Sequence, residues 1–504
     1  MNKNKTNPVL VPREKAGTML ITVLVATGLF MALTLGTVSL ALLQYKLNQN
    51  KILRAQALYV AEAGVNYYRW VLYHDKNEYC NKEACQPGPD YGPYGPYEYQ
   101  DSASGAVTGY YELYITPPPQ NGSTIVKIKS VGWLSSAPSI KRTIEVRCGI
   151  SAWSTYSTLA NDNMRFGAGT EVWGPIHSNK GIRFDGFAHH LITSSLLSYD
   201  DPDHSGANEF GVHTHLPPLD PLPDGNNPPQ NVPERSDVFA AGRSFPSNIV
   251  SFDLLDNHIN IFYQLASSSG LLFDGAAAGA ADPDSVPDYW GCAAPGGACD
   301  EGFHITLRSD NRFDIRGVSQ VYPDCSGNKS NSILSQEAAA RTYDIPANGI
   351  IFLKNTLWID GQINNSRATI LAFAEPIVGG EADINLNNDL LYTDYEGADA
   401  IGLIAQRDVN AGQYSADIIR VDAAIIAKTG RIGRNYYGSA CANYIRSTIT
   451  IYGSLATSQR YGFAYTDGTG YQIRNLIYDN HLTFSPPPHY PSTGEYTFIS
   501  WDEK

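Results

Sequence analysis

The sequence predicts an α+β module, made of a long N-terminal transmembrane helix and an antiparallel sheet, followed by a mostly β region organised as a parallel β-helix or related solenoid. Three observations predict it. Thr18 to Leu43 is a run of 26 residues without a charge, which as a helix would span roughly 39 Å at about 1.5 Å per residue, more than the roughly 30 Å hydrocarbon core of a bilayer. Strand-like alternation follows, clear in Lys127-Ile128-Lys129-Ser130-Val131 and in Thr143-Ile144-Glu145-Val146-Arg147. From Gly349 apolar strands recur, starting near Ile350, Thr369, Ile384, Ile401, Ile418 and Ile449, with Gly or Asn at the corners and no clear helix between them. A β-sandwich is the alternative for this last region.

Length and composition agree with several cores. The chain has 504 residues, 43% of them apolar, enough for roughly two to four domains. A net charge of −14 repels a phosphate backbone, so nucleic acid is excluded as the expected partner. Only 17% of residues are charged while tyrosines number 32, a balance suited to a β-rich extracellular protein. The expected divisions are a leader at 1–17, a membrane-spanning segment at 18–43, an amphipathic helix with a sheet at 44–150, a β-rich region at 151–348, and the solenoid at 349–504.

Ahead of the apolar run, Lys3, Lys5, Arg13 and Lys15 oppose only Glu14, and a Lys/Arg excess stays cytoplasmic, which places everything after Leu43 outside. A secretory signal has an apolar core of about 7–15 residues and a small-residue cleavage site. This run is too long, and no Ala-x-Ala follows it closely. The arrangement Gly17, then Thr-Met-Leu-Ile-Thr-Val-Leu-Val-Ala, fits instead a leader removed ahead of the apolar segment. From Gln44 the helix turns amphipathic, with Leu47, Leu53, Ala57, Ala61, Gly64, Tyr68 and Val71 on one side and Lys46, Lys51, Arg54 and Arg69 among them. The small side chains at Ala57, Ala61 and Gly64 permit close approach of a sheet or a second helix.

In these residues the chain resembles the type IV pilin family. The segment Ala55-Gln-Ala-Leu-Tyr-Val-Ala-Glu62-Ala-Gly64-Val65 is similar to the Ala-Leu-Tyr-Leu-Ala-Glu-Ala-Gly stretch of PilX-type minor pilins. The resemblance implies cleavage between Gly17 and Thr18 by a prepilin peptidase, assembly through the helix (Thr22, Ala57, Ala61, Glu62, Gly64), and other pilin subunits, the pilus assembly machinery and membrane lipid as partners. It also implies an inner-membrane location before assembly and a pilus or cell-surface location afterwards. Thr22 stands where most pilins carry a Glu, whose carboxylate is thought in the family to pair with a neighbouring subunit's amino terminus. An uncharged residue there points to a minor or tip subunit more than to a major fibre subunit. An ordinary signal anchor is the plainer alternative. The stretches Gly174-Pro-Ile-His-Ser-Asn179, Ala400-Ile-Gly-Leu-Ile-Ala405, Ile451-Tyr-Gly-Ser-Leu-Ala-Thr457, Pro486-Pro-Pro-His-Tyr-Pro491 and Ile499-Ser-Trp501 resemble a large domain often joined to PilX-type N-termini, which implies an architecture more than an activity.

Between these landmarks, Pro87 to Pro96 reads as a loop, and its Tyr91, Tyr94 and Tyr97 are candidate contacts to a surface or polysaccharide ligand, loop packing being the ordinary alternative. Strands are expected at 109–116, 124–134 and 140–150, closing the first domain near Ile150. Short turns and strands follow, then a Pro-, Gly- and Asp-rich surface excursion over 200–246. A helix is expected over 254–267 with Asp253 as its cap, and a hairpin over 303–318. Of the seven cysteines, Cys80 with Cys85 and Cys292 with Cys299 are the candidate disulfides, each closing a short loop; the odd total leaves one free or paired between chains.

The common protease, esterase and nucleotide-binding signatures are missing, so no enzyme activity is expected. Asp383, Asp389, Asp394 and Asp399 are the candidate carboxylates were the β region a carbohydrate-active enzyme, against the plainer reading of solvated strand-face carboxylates. Asp383, Asn385, Asn387 and Asp389 alternate as calcium ligands would, without the Gly and terminal Glu of an EF-hand. Apart from that candidate calcium, no cofactor is expected. His177, His189, His190, His213 and His215 have no register that unites them as a metal site, and no zinc-type Cys or His spacing is present. The function expected is a minor pilin-like subunit displaying a β domain for adhesion, assembly or priming, with a membrane-anchored carbohydrate-active enzyme or a type II secretion pseudopilus component as alternatives.

Overall fold

With no proline to interrupt it, the chain from Ala16 to His74 forms one 59-residue helix, α1. The computed structural model describes residues 16–85, 90–119, 122–273, 301–374 and 381–504. These fall into two compact units, one of 1–116, 128–146 and 500–504, the other of 117–127 and 147–499.

In the first unit, Ala57, Val60, Ala61, Val65, Tyr68, Val71 and Leu72 are buried. Their spacing of three and four residues gives one face of α1, which packs on a sheet. The strands are β1 (Tyr91–Gln100), β2 (Val107–Thr116), β3 (Val126–Leu134) and β4 (Ala137–Ala152), in that spatial order, with the C-terminal strand Ser492–Glu503 beside β4. The strict alternation of buried and half-buried residues along β3 is that of a sheet with one face on the core. Burying each large apolar side chain of the α1 face contributes roughly 1.5–3 kcal/mol. The expected helix face began earlier, at Leu47 and Leu53. Leu47 is in fact exposed, and burial starts at Ala57.

Two expectations for this unit change. Residues 91–96 are not a loop but the start of β1, antiparallel to β2. Tyr91, Tyr94 and Tyr97 pair with Ile115, Leu113 and Tyr111, so three residues of β1 advance against two of β2, and a bulge at each Gly-Pro absorbs the extra residue. The boundary expected near Ile150 falls within β4, close to residue 146 where the first unit leaves that strand, and the sheet also takes in the C-terminal strand.

In the second unit the strands stack in parallel ladders. One runs from Leu271–Phe273 through Ile350–Leu353, Arg367–Ala372, Ala400–Ala405, Ile418–Ala427 and Ile445–Thr457. It then continues onto Thr158–Ala160, Ile176–Ser178, Ile192–Ser194 and Arg243–Ser244. A division at Gly349 is therefore absent: the early strands, three residues or fewer, extend the same stack and are too short to display a period. Side chains of alternate residues enter different cores. Ile351, Leu353, Ile370, Leu403 and Ile425 point into one, while Ile350, Phe352, Leu371, Ile404 and Ile426 join Leu255, Ile259, Phe262 and Ala266 of the helix α2 (Leu254–Ser269) in the other. Because both faces are covered, these strands read as continuous apolar runs. Asp253 precedes α2 with helical dihedrals (φ −67°, ψ −18°) and makes no side-chain capping bond, so the expected cap is not formed.

The hairpin over 303–318 is present, Phe303 pairing with Gly317 and Leu307 with Phe313. The stretch 200–246 is more than a surface excursion. Phe210, Val212, Val238, Phe239 and Phe245 from it are buried in the core, which its many prolines and glycines hid in the sequence.

Candidate functional sites: an exposed apolar helix segment and a histidine cluster

From Met19 to Leu43 every Met, Leu, Ile, Val and Phe side chain of α1 is more than half exposed, the lowest at 54%. The segment is long and apolar enough to cross a membrane. Its hydroxyls are satisfied within the helix: Thr27 donates to Val23 O at 2.8 Å, Thr34 to Met31 O at 2.9 Å and Thr37 to Thr34 O at 2.9 Å, as a lipid environment requires. Thr22 is exposed in this segment. The Gly17–Thr18 peptide lies in the first turn of α1, and the Thr18 side chain is outside the described residues.

Further along α1, Ala57, Ala61 and Gly64 are buried while Glu62 is exposed and lines a groove of about 640 Å³ beside Tyr59, Tyr99 and Leu134. A Cβ at Gly64 would collide with Ser130 and Tyr111, and one at Gly132 with the backbone of Ala57 and Ala61. Helix backbone and sheet thus touch through glycines on both sides.

The tyrosine candidates face inward. Tyr94 is 1% exposed, which removes it as a ligand contact, and Tyr91 and Tyr97 are half-buried. The Tyr97 hydroxyl donates to Glu83 Oε1 and accepts from Asn81 Nδ2, each at 2.5 Å. The bulged register turns every third residue of β1 to the face carrying Leu113 and Ile115, so these rings pack the sheet.

Cys80 is bonded to Cys85, and Cys325 to Cys441 across 116 residues. The second bridge had no sequence signal, since its partners meet only through tertiary folding. Cys292 and Cys299 lie outside the described residues. Cys148 is buried on β4.

The acidic candidates are not solvated strand-face groups as a set. Asp383 is buried and takes the Arg407 guanidinium on both oxygens, at 2.9 and 2.6 Å. Asp399, 2% exposed, accepts from Ser366 N, Thr393 N, Thr393 Oγ1 and Asp394 N. Asp394 accepts from Glu396 N, and Asp389 accepts from Arg420 N. For the calcium candidates, Asn385 is buried, and Asn387 donates to Asn331 O and accepts from Gly412 N. An ion between Asp383 and its neighbours would have to displace Arg407. Nearby, His304, Tyr322, Trp358, Asp360, Asn388 and Tyr414 line a cleft of about 260 Å³, with His304 Nε2 3.0 Å from Asp360 Oδ2.

The histidines sort differently. His177 is buried with both ring nitrogens engaged, by Thr193 at 2.8 Å and Asn179 at 3.1 Å. His189 stacks on Trp173 and contacts Glu171 at 2.7 Å. His213 and His215, however, come together with Asp201 and His204, one ligand atom of each lying within 4.8 Å of all the others. The loop between Ser198–Tyr199 and its antiparallel partner Glu209–Phe210 supplies Asp201 and His204. Val212–His213 pairs in parallel with Ile182–Phe184, fixing His213 beside Arg183, and His215, two residues on, extends in the same direction.

His213 Nε2 is 3.4 Å and His204 Nε2 3.6 Å from Asp201 Oδ2, with Glu209 3.8 Å from His204. His213 is fully buried and Asp201 nearly so. Among the described residues, Asp201 Oδ2, His204 Nε2 and both ring nitrogens of His213 have no hydrogen-bond partner. Burial would raise the Asp201 carboxyl, but His213, the Asp203 N–H and Arg183 outweigh it and hold it below the usual carboxylate range. Burial, then the Arg183 guanidinium, pushes the His215 imidazole down. The sequence signals were Asp201-x-x-His204 and His213-Thr-His215, only a few residues apart. Asp201 and His204 stand outside the five histidines singled out from the sequence, and only the fold brings them to His213 and His215.

A long helix, uncharged and largely apolar over its exposed first half and packed on a sheet over its second, accompanies a large mostly β body. No family model matches the chain, and no curated protein does. Among solved structures, the competence-associated pilin ComZ from Thermus thermophilus aligns over 90% of this chain and 97% of its own, at 13% identity and a TM-score of 0.34. So loose a likeness carries no part of the argument.

Proposed function

We propose that this chain is a minor pilin-like subunit of a type IV pilus or a related filament. It is anchored in the cytoplasmic membrane through Thr18–Leu43 before assembly, and it displays the β body outside for adhesion or for assembly and priming. The observation that carries this reading is the exposed apolar half of α1, which needs either lipid or neighbouring helices to cover it. The leader charges, Gly17 and the Ala55–Val65 segment support prepilin processing, with other subunits and the assembly machinery as partners. Thr22 supports a minor position, since it brings no buried carboxylate in need of a neighbour's amino terminus. The body is read as a β-solenoid acting as a rigid display platform, because its ladders are parallel and stack coil on coil. The role is binding rather than catalysis, since Asp383 and Asp399 are committed to Arg407 and to a backbone clamp.

Filaments sheared from cells with a functional assembly system test this. The chain is expected in the filament fraction together with other subunits, and lost from it when 18–43 is deleted. A chain absent from filaments and retained in the membrane would overturn the reading. Purified protein incubated with a polysaccharide panel separates adhesion, seen as saturable binding, from the carbohydrate-active alternative, which requires turnover.

A further inference from the structure

We infer that Asp201, His204, His213 and His215 form a structural site for a divalent transition metal, zinc by preference. Three imidazole nitrogens and one carboxylate oxygen are a donor set that zinc accepts, and four protein ligands complete a tetrahedron with no position left for a reacting water. Bonds of about 2.0–2.1 Å place tetrahedral ligand atoms roughly 3.4 Å apart. The separations of 3.4 and 3.6 Å between Asp201 Oδ2 and the two histidine nitrogens match that edge.

The second observation is independent of proximity. His213 is fully buried, yet its Nδ1 has no hydrogen-bond partner among the described residues, and its Nε2 and that of His204 meet Asp201 Oδ2 only at 3.4 and 3.6 Å, without a well-aligned hydrogen bond. Buried polar atoms left so are costly, and several of them around one point call for a common partner. A dication supplies it, accepting a lone pair from every group at once.

The surroundings tolerate the charge. Arg183 reaches Asp201 at 3.8 Å but is held by Asp185 at 2.7 Å, and Arg165 and Arg460 are held by Asp203. His204 Nδ1 lies 3.3 Å from the Ser205 carbonyl, an outer partner that can orient the ring with Nε2 turned to the metal. All four ligands come from one short stretch of chain, 201–215, in which Phe210 and Val212 anchor the strands while the 201–204 loop has no buried apolar side chain of its own. A metal would staple the 201–204 loop to the strand carrying His213.

The test uses the full chain, purified in detergent without a polyhistidine tag, stripped with chelator and titrated with Zn²⁺, and separately with Co²⁺ for its visible spectrum. One equivalent of Zn²⁺ is expected to bind and to raise the thermal midpoint of the body. Bound Co²⁺ is expected to give the intense absorption of a tetrahedral site. His204→Ala and His215→Ala, at positions partly open to solvent and so compatible with folding, are each expected to weaken Zn²⁺ binding by at least about 100-fold, more than loss of an outer partner costs, and to remove the zinc-dependent rise. Asp201→Asn, close in shape, is expected to do the same. The inference is overturned if the wild-type chain takes up no stoichiometric Zn²⁺, if Co²⁺ gives only the weak spectrum of a six-coordinate ion, or if His204→Ala and His215→Ala bind as the wild type does.

Discussion

Two stretches of this chain are equally free of charge and meet opposite fates. Met19 to Leu43 exposes every large apolar side chain, whereas Ala400–Ala405 and the apolar end of Ile418–Ala427 are buried completely. Backbone geometry makes the difference. A helix turns its residues through all directions, so an all-apolar helix needs an apolar environment around its whole circumference. A strand presents only two faces, and the body covers both, one with the inner core and one with a second core that Trp153, Leu482 and Tyr490 share with α2. An apolar run therefore announces that something covers it, and its length and period say whether that cover is lipid, neighbouring helices or the chain itself.

The contrast can be broken most forcefully in the helix. Leu24→Lys with Leu33→Lys should cost about 2.5–3.5 kcal/mol per site if the segment spans a bilayer. The double variant is then expected to leave the membrane pellet while the thermal midpoint of the body stays put. An unchanged membrane fraction would place the segment elsewhere. In the body the same kind of residue should act on folding instead. Leu403→Ala is expected to lose about 2–5 kcal/mol in denaturant unfolding with membrane partition unaltered. The Cys325–Cys441 bridge closes the largest loop recorded among the described residues. Cys325→Ser with Cys441→Ser should destabilise the body by about 2–5 kcal/mol, and equal unfolding midpoints with and without the bridge would count against it.

Smaller effects sharpen the contact of α1 with its sheet. Gly132→Ala puts a Cβ against the Ala57 and Ala61 backbone, and overpacking of this kind typically costs about 1–3 kcal/mol. Glu62→Ala, on the exposed side of the same helix, is expected to change stability by less than about 0.5 kcal/mol. A larger loss of filament incorporation than of stability in that variant would mark Glu62 as an assembly residue, and parallel losses would not.

Sequence patterns disclosed some of this fold well and the rest poorly, for identifiable reasons. The helix was legible because its period and apolar length are each sustained over many turns. The ladder from Ile350 to Thr457 was legible because its strands are long and apolar on both faces. Thr158–Ala160, Ile176–Ser178 and Ile192–Ser194 belong to the same ladder but are too short to show a period. The first part of β1, to Pro96, looks like a loop in sequence because Gly-Pro pairs normally break strands, and here the bulges between the Tyr91, Tyr94 and Tyr97 pairings accommodate them. The histidine cluster was half visible, in His213-Thr-His215. Its other half needed the turn that folds Asp201 and His204 back, which no local pattern specifies.

A filament subunit of this kind requires Thr18–Leu43 to survive in the working protein. The N-terminal mass of the product, isolated from membranes of cells with an active prepilin peptidase, tests it directly. A chain beginning at Thr18 is the predicted result. A product beginning downstream of Leu43, or one still carrying Met1, would contradict it.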